Sequence, residues 1–203
     1  HGTLRADHIV IAGNGYLPDI QPEISSRVMP INSFIAATEP LGGRASQVLA
    51  KDIAVADDKF VVNYFRLSED KRLLFGGREN YGIGFPTDID TALRTRMERL
   101  FPQLKGVGID YSWGGTLGIT MTRLPLVRRL GPTTLAAGGF SGHGVALTGL
   151  VGKVLAEAVA GQAGRFDLIS NLPTPSFPGG RHARAPLLKL AMTWYALRDR
   201  LGL

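Results

Sequence analysis

Apolar positions are spaced two apart in the first part of the chain and three or four apart further on, which predicts strands first and the longer helices later. HIVIAGNGY, residues 8 to 16, is a β-branched run ending in Gly-Asn-Gly and reads as a buried parallel strand followed by a tight turn. VMPINSFIAATEPL, residues 28 to 41, reads as a second strand, interrupted by Pro30 and stopped by Pro40. FVVNYFRL (60 to 67) and RLLFGGRE (72 to 79) flank the turn-forming Ser-Glu-Asp-Lys, so they predict an antiparallel hairpin. Residues 87 to 101 set Ile89, Leu93, Met97, Leu100 and Phe101 at helical spacing behind Thr87 and Asp88, both good N-caps.

IDYSWGGTLGIT, LPLVRRL and TTLAAGG read as three more strands. GVALTGLVGKVLAEAVAG follows, with Val145, Leu147, Val151, Val154, Leu155 and Val159 at helical spacing, and predicts a well-buried helix closed by Gly161. LPTPSFPGG, residues 172 to 180, has three prolines and two glycines and reads as an extended linker. The final segment, APLLKLAMTWYALRDRL, carries Leu187, Leu190, Ala191, Trp194 and Leu197 with basic residues between them. A basic amphipathic helix lying on a membrane is one reading; a terminal helix docked on its own protein is the plainer one.

Composition narrows the chemistry. The 203 residues are 44% hydrophobic and 20% charged, enough for one substantial core or two small ones. No apolar run approaches the roughly 18 to 20 residues that span a bilayer, and no signal-peptide order opens the chain, so a soluble, cytoplasmic protein is expected. The absence of cysteine excludes disulfides, Cys-zinc sites and thiol nucleophiles together. Of the net charge of +6, four units fall after Gly180, where Arg181, Arg184, Lys189, Arg198 and Arg200 face only Asp199. The remainder is nearly neutral, and a nucleic-acid partner is not expected.

The stretch GGFSGHGVALTG, residues 138 to 149, links a predicted strand to a predicted helix and holds the chain's one Ser-Gly-His run. Gly139, Phe140, Ser141 and Gly142 match the first four places of the G-x-S-x-G nucleophile elbow, but His143 stands in the fifth, where the turn needs a small residue. His1, His8, His143 and His182 show no metal-binding spacing. The G-x-G pairs at residues 13, 82, 106 and 142 all lack the third glycine of a dinucleotide fingerprint. What remains is a glycine-rich turn that aims backbone N–H groups and a helix N-terminus at an electron-rich atom, or a turn with no ligand at all.

ADHIVIAGNGY, WGGTLGITMTRLPLV and AAGGFSGHGVALTGLVGKVLAEAVAG together resemble the second half of the FAD-dependent D-amino acid oxidase and glycine oxidase superfamily. The order of segments, the RLLFGGRE strand and the Pro-rich linker with its Trp-Tyr helix are most similar to its gamma-glutamylputrescine oxidase branch. The resemblance implies FAD as cofactor, an amine or amino acid oxidised to an imine by hydride transfer, and oxygen as electron acceptor. It implies that Gly138, Gly139, Phe140, Ser141, Gly142, His143, Gly144, Val145 and Thr148 line the flavin, with Gly13 near the cofactor on the other side. Tyr64, Arg66, Arg78 and Trp113 are candidates for substrate contact, each with a plain alternative as core aromatic or solvated strand residue. No catalytic acid or base is nominated, because hydride transfer from an unprotonated amine needs positioning above all.

The expected fold class is therefore α+β. A mostly antiparallel substrate domain over residues 21–112 is inserted between C-terminal portions of an FAD-binding Rossmann-like domain, at 1–20 and 113–165, with the linker and terminal helix at 166–203. Family members carry a dinucleotide fingerprint that this chain lacks. The chain is accordingly expected to be a C-terminal fragment, inactive alone, whose partner is a missing N-terminal Rossmann half. A flavin dehydrogenase with another acceptor, and a non-catalytic binding module, are the rival readings.

Overall fold

The computed structural model describes residues 2–16, 20–59, 62–80 and 85–180, with positions 183, 186, 187, 190 and 194 of the terminal segment. Most of the predicted terminal helix lies outside the described residues, and with it the choice between membrane and protein docking. The strands are β1 (Ile9–Ile11), β2 (Met29–Thr38), β3 (Val55–Ala56), β4 (Tyr64–Leu67), β5 (Leu73–Asn80), β6 (Ile109–Ile119), β7 (Leu126–Gly131) and β8 (Thr134–Gly138). The helices are α1 (Pro22–Ser25), α2 (Ala45–Val48), α3 (Asp90–Leu100), α4 (Gly144–Val159) and α5 (Gly164–Ser170). They fall into two units, one made of His1–Ile31 with Thr116–Leu188 and the other of Asn32–Gly115 with Lys189–Leu203.

The second unit holds most of a five-stranded sheet in the order β3-β4-β5-β2-β6. Its β4–β5 hairpin forms as predicted, pairing Phe65 with Phe75 and Leu67 with Leu73. Ser68 and Arg72 close the turn with an N–H to carbonyl bond of 2.9 Å, and Lys71 takes φ 64. Phe34, Leu73 and Phe75 are fully buried against Leu93 and Met97 of α3. Asp88 does cap that helix in effect, accepting the Thr91 N–H at 3.0 Å. Pro30 does not interrupt β2, which runs unbroken from Met29 to Thr38.

The first unit is built on a three-stranded sheet in the order β1-β8-β7. β1 runs parallel to β8, while β7 runs antiparallel to it. Leu135 and Ala137 of β8 pack against Val151, Val154 and Leu155 of α4 and Phe166 of α5. Ala136 points the other way, into a cluster with Ile24, Val28 and Leu126.

The expected Rossmann-like remnant is corrected here to an α+β fold with mixed and antiparallel sheets. Gly131 pairs with Thr134 across Pro132 and Thr133, and so short a connection permits only an antiparallel neighbour. β1 is also not the buried strand its residues suggested, since Ile9 and Val10 are 54% and 46% exposed. Among the described residues it pairs with β8 alone, as the outer strand of the three. α4 buries a single stripe, leaving Val145, Leu150 and Val159 exposed. The Pro-rich segment is pinned rather than loose, with Thr174 buried, the Phe177 N–H bonded to the Ser26 carbonyl and Arg128 bonded to the Thr174 hydroxyl.

Candidate functional site

Because β1 and β8 are parallel, both reach the same edge of their sheet with their C-terminal ends, and the turns that follow them meet there. Gly13 opens the first turn and accepts the Tyr16 N–H at 2.9 Å. Asn14, at φ 48, turns its side chain onto the second turn, where its Oδ1 accepts the Gly139 N–H at 2.9 Å. The fit is close: a Cβ on Gly118 would stand 2.4 Å from Asn14 Oδ1, and one on Gly138 would stand 3.3 Å from Asn14 Cα.

The glycine-rich turn has an inner and an outer half. Gly138, Gly139, Phe140 and Ser141 are buried. Gly139 takes φ 65, and a Cβ there would meet Thr120 at 2.5 Å, so only glycine fits. Ser141 takes φ 52, donates its N–H to Gly118 and engages its hydroxyl with the Gly139 carbonyl at 3.1 Å and the Thr120 N–H at 3.2 Å. That hydroxyl clamps the turn, and Ser141 is buried, 4% exposed. Phe140 belongs to the apolar cluster beneath α4.

Beyond Ser141 the turn opens to solvent. Gly142 takes φ 90 with nothing within 4 Å of where a Cβ would stand. His143 is the N-cap residue of α4 and donates its N–H to the Phe140 carbonyl at 2.8 Å. Gly144 is half-buried, and Val145 and Thr148 on the first helical turns are exposed. The N–H groups of Gly142, Gly144 and Val145 have no acceptor among the described residues, and no acidic side chain lies in the first turn of α4. Free donors at a positive helix end, with no carboxylate to compete, suit an electron-rich ligand edge.

The four substrate candidates all lie in the other unit. Tyr64 lies over Gly76, whose Cβ would stand 2.2 Å from the ring, and its hydroxyl sits 3.2 Å from that of Ser33. Arg66 is exposed, with its guanidinium 3.7 Å from Asp52 and hydrogen-bonded to the Leu67 carbonyl. Tyr64 and Arg66 share one face of β4, opposite Phe65 and Leu67. Trp113 is 45% exposed on β6, two positions from the exposed Tyr111. Arg78 lies in β5 in register with Phe34.

Three residues of these sites were missed in the sequence. Asn14 was hidden inside Gly-Asn-Gly, where a residue tolerant of positive φ was a usable signal. Thr120 and Ser33 gave no signal, since their partners are 21 and 31 residues away. One charge cluster is structural: Arg72 bonds Asp110 and Asp70, which hold its proton more firmly than usual, and lies over the Tyr111 ring. Among the described residues no three His, Asp or Glu side chains group as a metal site.

Comparison with known proteins places these features. The family model for FAD dependent oxidoreductases matches residues 1–158. A probable oxidoreductase, OrdL, of Rhizobium meliloti (strain 1021) is 47% identical over 199 residues, covering 98% of this chain and 46% of that protein. The gamma-glutamylputrescine oxidoreductase of Escherichia coli (strain K12) is 41% identical over 203 residues, 99% of this chain and 48% of that protein. Glycine oxidase from Geobacillus kaustophilus shares the fold, with a TM-score of 0.67 at 21% identity over 88% of this chain and 48% of its own.

The expectation of a resemblance to a C-terminal half only is corrected as far as the alignments reach: they take in 98–99% of this chain and 46–48% of each relative. The similarity belongs to the whole sequence. The chain spans about half the length of the curated relatives it matches. FAD is the cofactor of the family that these matches define, and the chain belongs to it: the FAD-dependent oxidoreductases of the D-amino acid oxidase and glycine oxidase superfamily.

Proposed function

We propose that the chain serves the FAD-dependent oxidation of an amine or amino acid to an imine, with oxygen as electron acceptor and a gamma-glutamyl amine as the substrate type. The single observation that carries the reading is the outer half of the glycine turn. Gly142 leaves open space where any other residue would put a side chain, and it shares with Gly144 and Val145 a set of undonated N–H groups at the start of α4. These residues fit one edge of a flavin ring system, which gathers negative charge when reduced. Bound FAD supplies the acceptor for a hydride from the C–H next to the substrate nitrogen.

The chain's own part is positioning. Gly142, His143, Gly144, Val145 and Thr148 receive the ring from the open side, and Gly138, Gly139, Phe140 and Ser141 set the turn from behind. Gly13 reaches the cofactor through the turn it shares with Asn14. In the other unit the paired Tyr64 and Ser33 hydroxyls orient the substrate by hydrogen bonding. Arg66, whose ion pair with Asp52 is exposed and weak, exchanges that partner for a substrate carboxylate, with Arg78 as the second cation and Trp113 as an apolar wall.

FAD titration followed by flavin absorbance tests the placement. Gly142→Val fills the open space and strains the backbone at φ 90, so its affinity for FAD should fall at least about tenfold. A variant that takes up FAD like the native chain sinks the placement. Peroxide production from a panel of amines tests the acceptor; amine oxidation that reduces a dye but not oxygen would replace oxygen in the reading.

A further inference from the structure

We infer that Asn14 is a positioning residue for the flavin, holding the glycine turn so that its outer N–H groups face away from the protein; this rests on the reading of that turn as the flavin's seat. Three observations meet at this side chain. Its Oδ1 takes the Gly139 N–H at 2.9 Å, drawing the inner half of the turn toward the end of β1. Its backbone sits at φ 48, where asparagine is tolerated far better than most residues. Gly118 and Gly138 crowd it closely enough that a Cβ on Gly118 would collide with Oδ1.

The consequence is geometric. With the Gly139 N–H taken by Asn14 and the Ser141 N–H taken by Gly118, two donors of the inner half are held inside the protein. On the open side the N–H groups of Gly142, Gly144 and Val145 have no acceptor among the described residues. The pairing bridges 125 residues and joins the two turns at the sheet edge, so β1 contributes to the site through this one amide.

The side chain's neutrality is the second half of the inference. An aspartate could accept the same Gly139 N–H and take up the same backbone angle. It would also set a negative charge beside a turn whose proposed guest becomes negative on reduction, and so disfavour the reduced form. Asparagine supplies the acceptor without the charge.

Two variants separate backbone, hydrogen bond and charge. Asn14→Gly keeps the positive φ and removes the acceptor, while Asn14→Asp keeps the acceptor and adds the charge. In Asn14→Gly the Gly139 amide should exchange with deuterium at least about tenfold faster. The melting temperature should drop by about 2–4 °C, as expected for one lost hydrogen bond in a chain of this size, and the Kd for FAD should rise about tenfold. Asn14→Asp should bind oxidised FAD like the native chain and favour the reduced form about tenfold less, a midpoint potential about 30 mV lower for a two-electron couple. Native FAD affinity in Asn14→Gly, or an unshifted potential in Asn14→Asp, overturns the inference. If Asn14→Gly fails to fold, the potential of Asn14→Asp decides alone. Gly142→Val measured in parallel tells the two failures apart: a native Kd there removes the flavin reading itself, whereas a weakened one leaves that reading standing and condemns only the role of Asn14.

Discussion

The five-stranded sheet gathers its large buried apolar side chains into one cluster, where Phe34, Leu73 and Phe75 meet α3, whereas the three-stranded sheet commits its central strand β8 to two clusters at once. In the first, several aromatic and aliphatic groups share one core. In the second, small residues dominate β8, with Leu135 as its one large side chain and Ala136 and Ala137 on either side. The difference shows where rigidity is placed. The glycine turn leaves the end of a strand covered on both faces, so its inner half is fixed while its outer half stays open.

Several substitutions can break or sharpen that contrast. Phe75→Ala removes a fully buried ring stacked near Phe65 and should cost about 3–5 kcal/mol in denaturant unfolding. Leu135→Ala should cost about 2–4 kcal/mol. A larger loss at Leu135 than at Phe75 would mean that the thinner, two-faced sheet is the better packed.

Asp57 tests the polar margin of the five-stranded sheet. Partial burial works against its carboxylate, but hydrogen bonds from the Asn63 side chain and N–H and from the Lys59 N–H, with the Lys59 charge, outweigh this and hold its pKa below the usual range. A depressed folded value contributes stability above the unfolded pKa of about 3.9 and loses it as pH falls through the folded value. Asp57→Asn should therefore cost about 1 kcal/mol at pH 7, allowing for solvent screening. The gap in melting temperature from the native chain should narrow toward pH 3; a constant gap would assign the loss to geometry instead of charge. Ile9→Thr, on the exposed edge of β1, should change stability by no more than about 0.5 kcal/mol, and a larger effect would show that β1 is better covered than its exposure indicates.

Local features of this fold were the ones legible in the sequence. The β4–β5 hairpin announced itself because Ser68 to Lys71 is both a turn former and the only break between two apolar runs. α3 and α4 were legible because their apolar residues recur at helical spacing, with Asp88 before α3 and Gly161 at φ 85 just after α4. Burial was harder: Ile9 and Val10 look like core residues, yet their exposure depends on how many neighbours β1 acquires, which no property of residues 8 to 16 encodes. The same holds for the site. Ser141 looked reactive beside His143, but contacts with Gly118 and Thr120 turn it inward.

The bond between Asn14 and Gly139 also sets an order of events. Between its two ends the chain contains the whole stretch Asn32–Gly115 of the other unit. At roughly 5–20 residues per second, a ribosome needs about 6–25 s to advance the 125 positions from Asn14 to Gly139. During that interval β1 lacks β8, the strand it pairs with in parallel. The glycine turn is thus fixed from behind only after residues 138 to 141 have been made, whatever the order in which the rest of the unit forms.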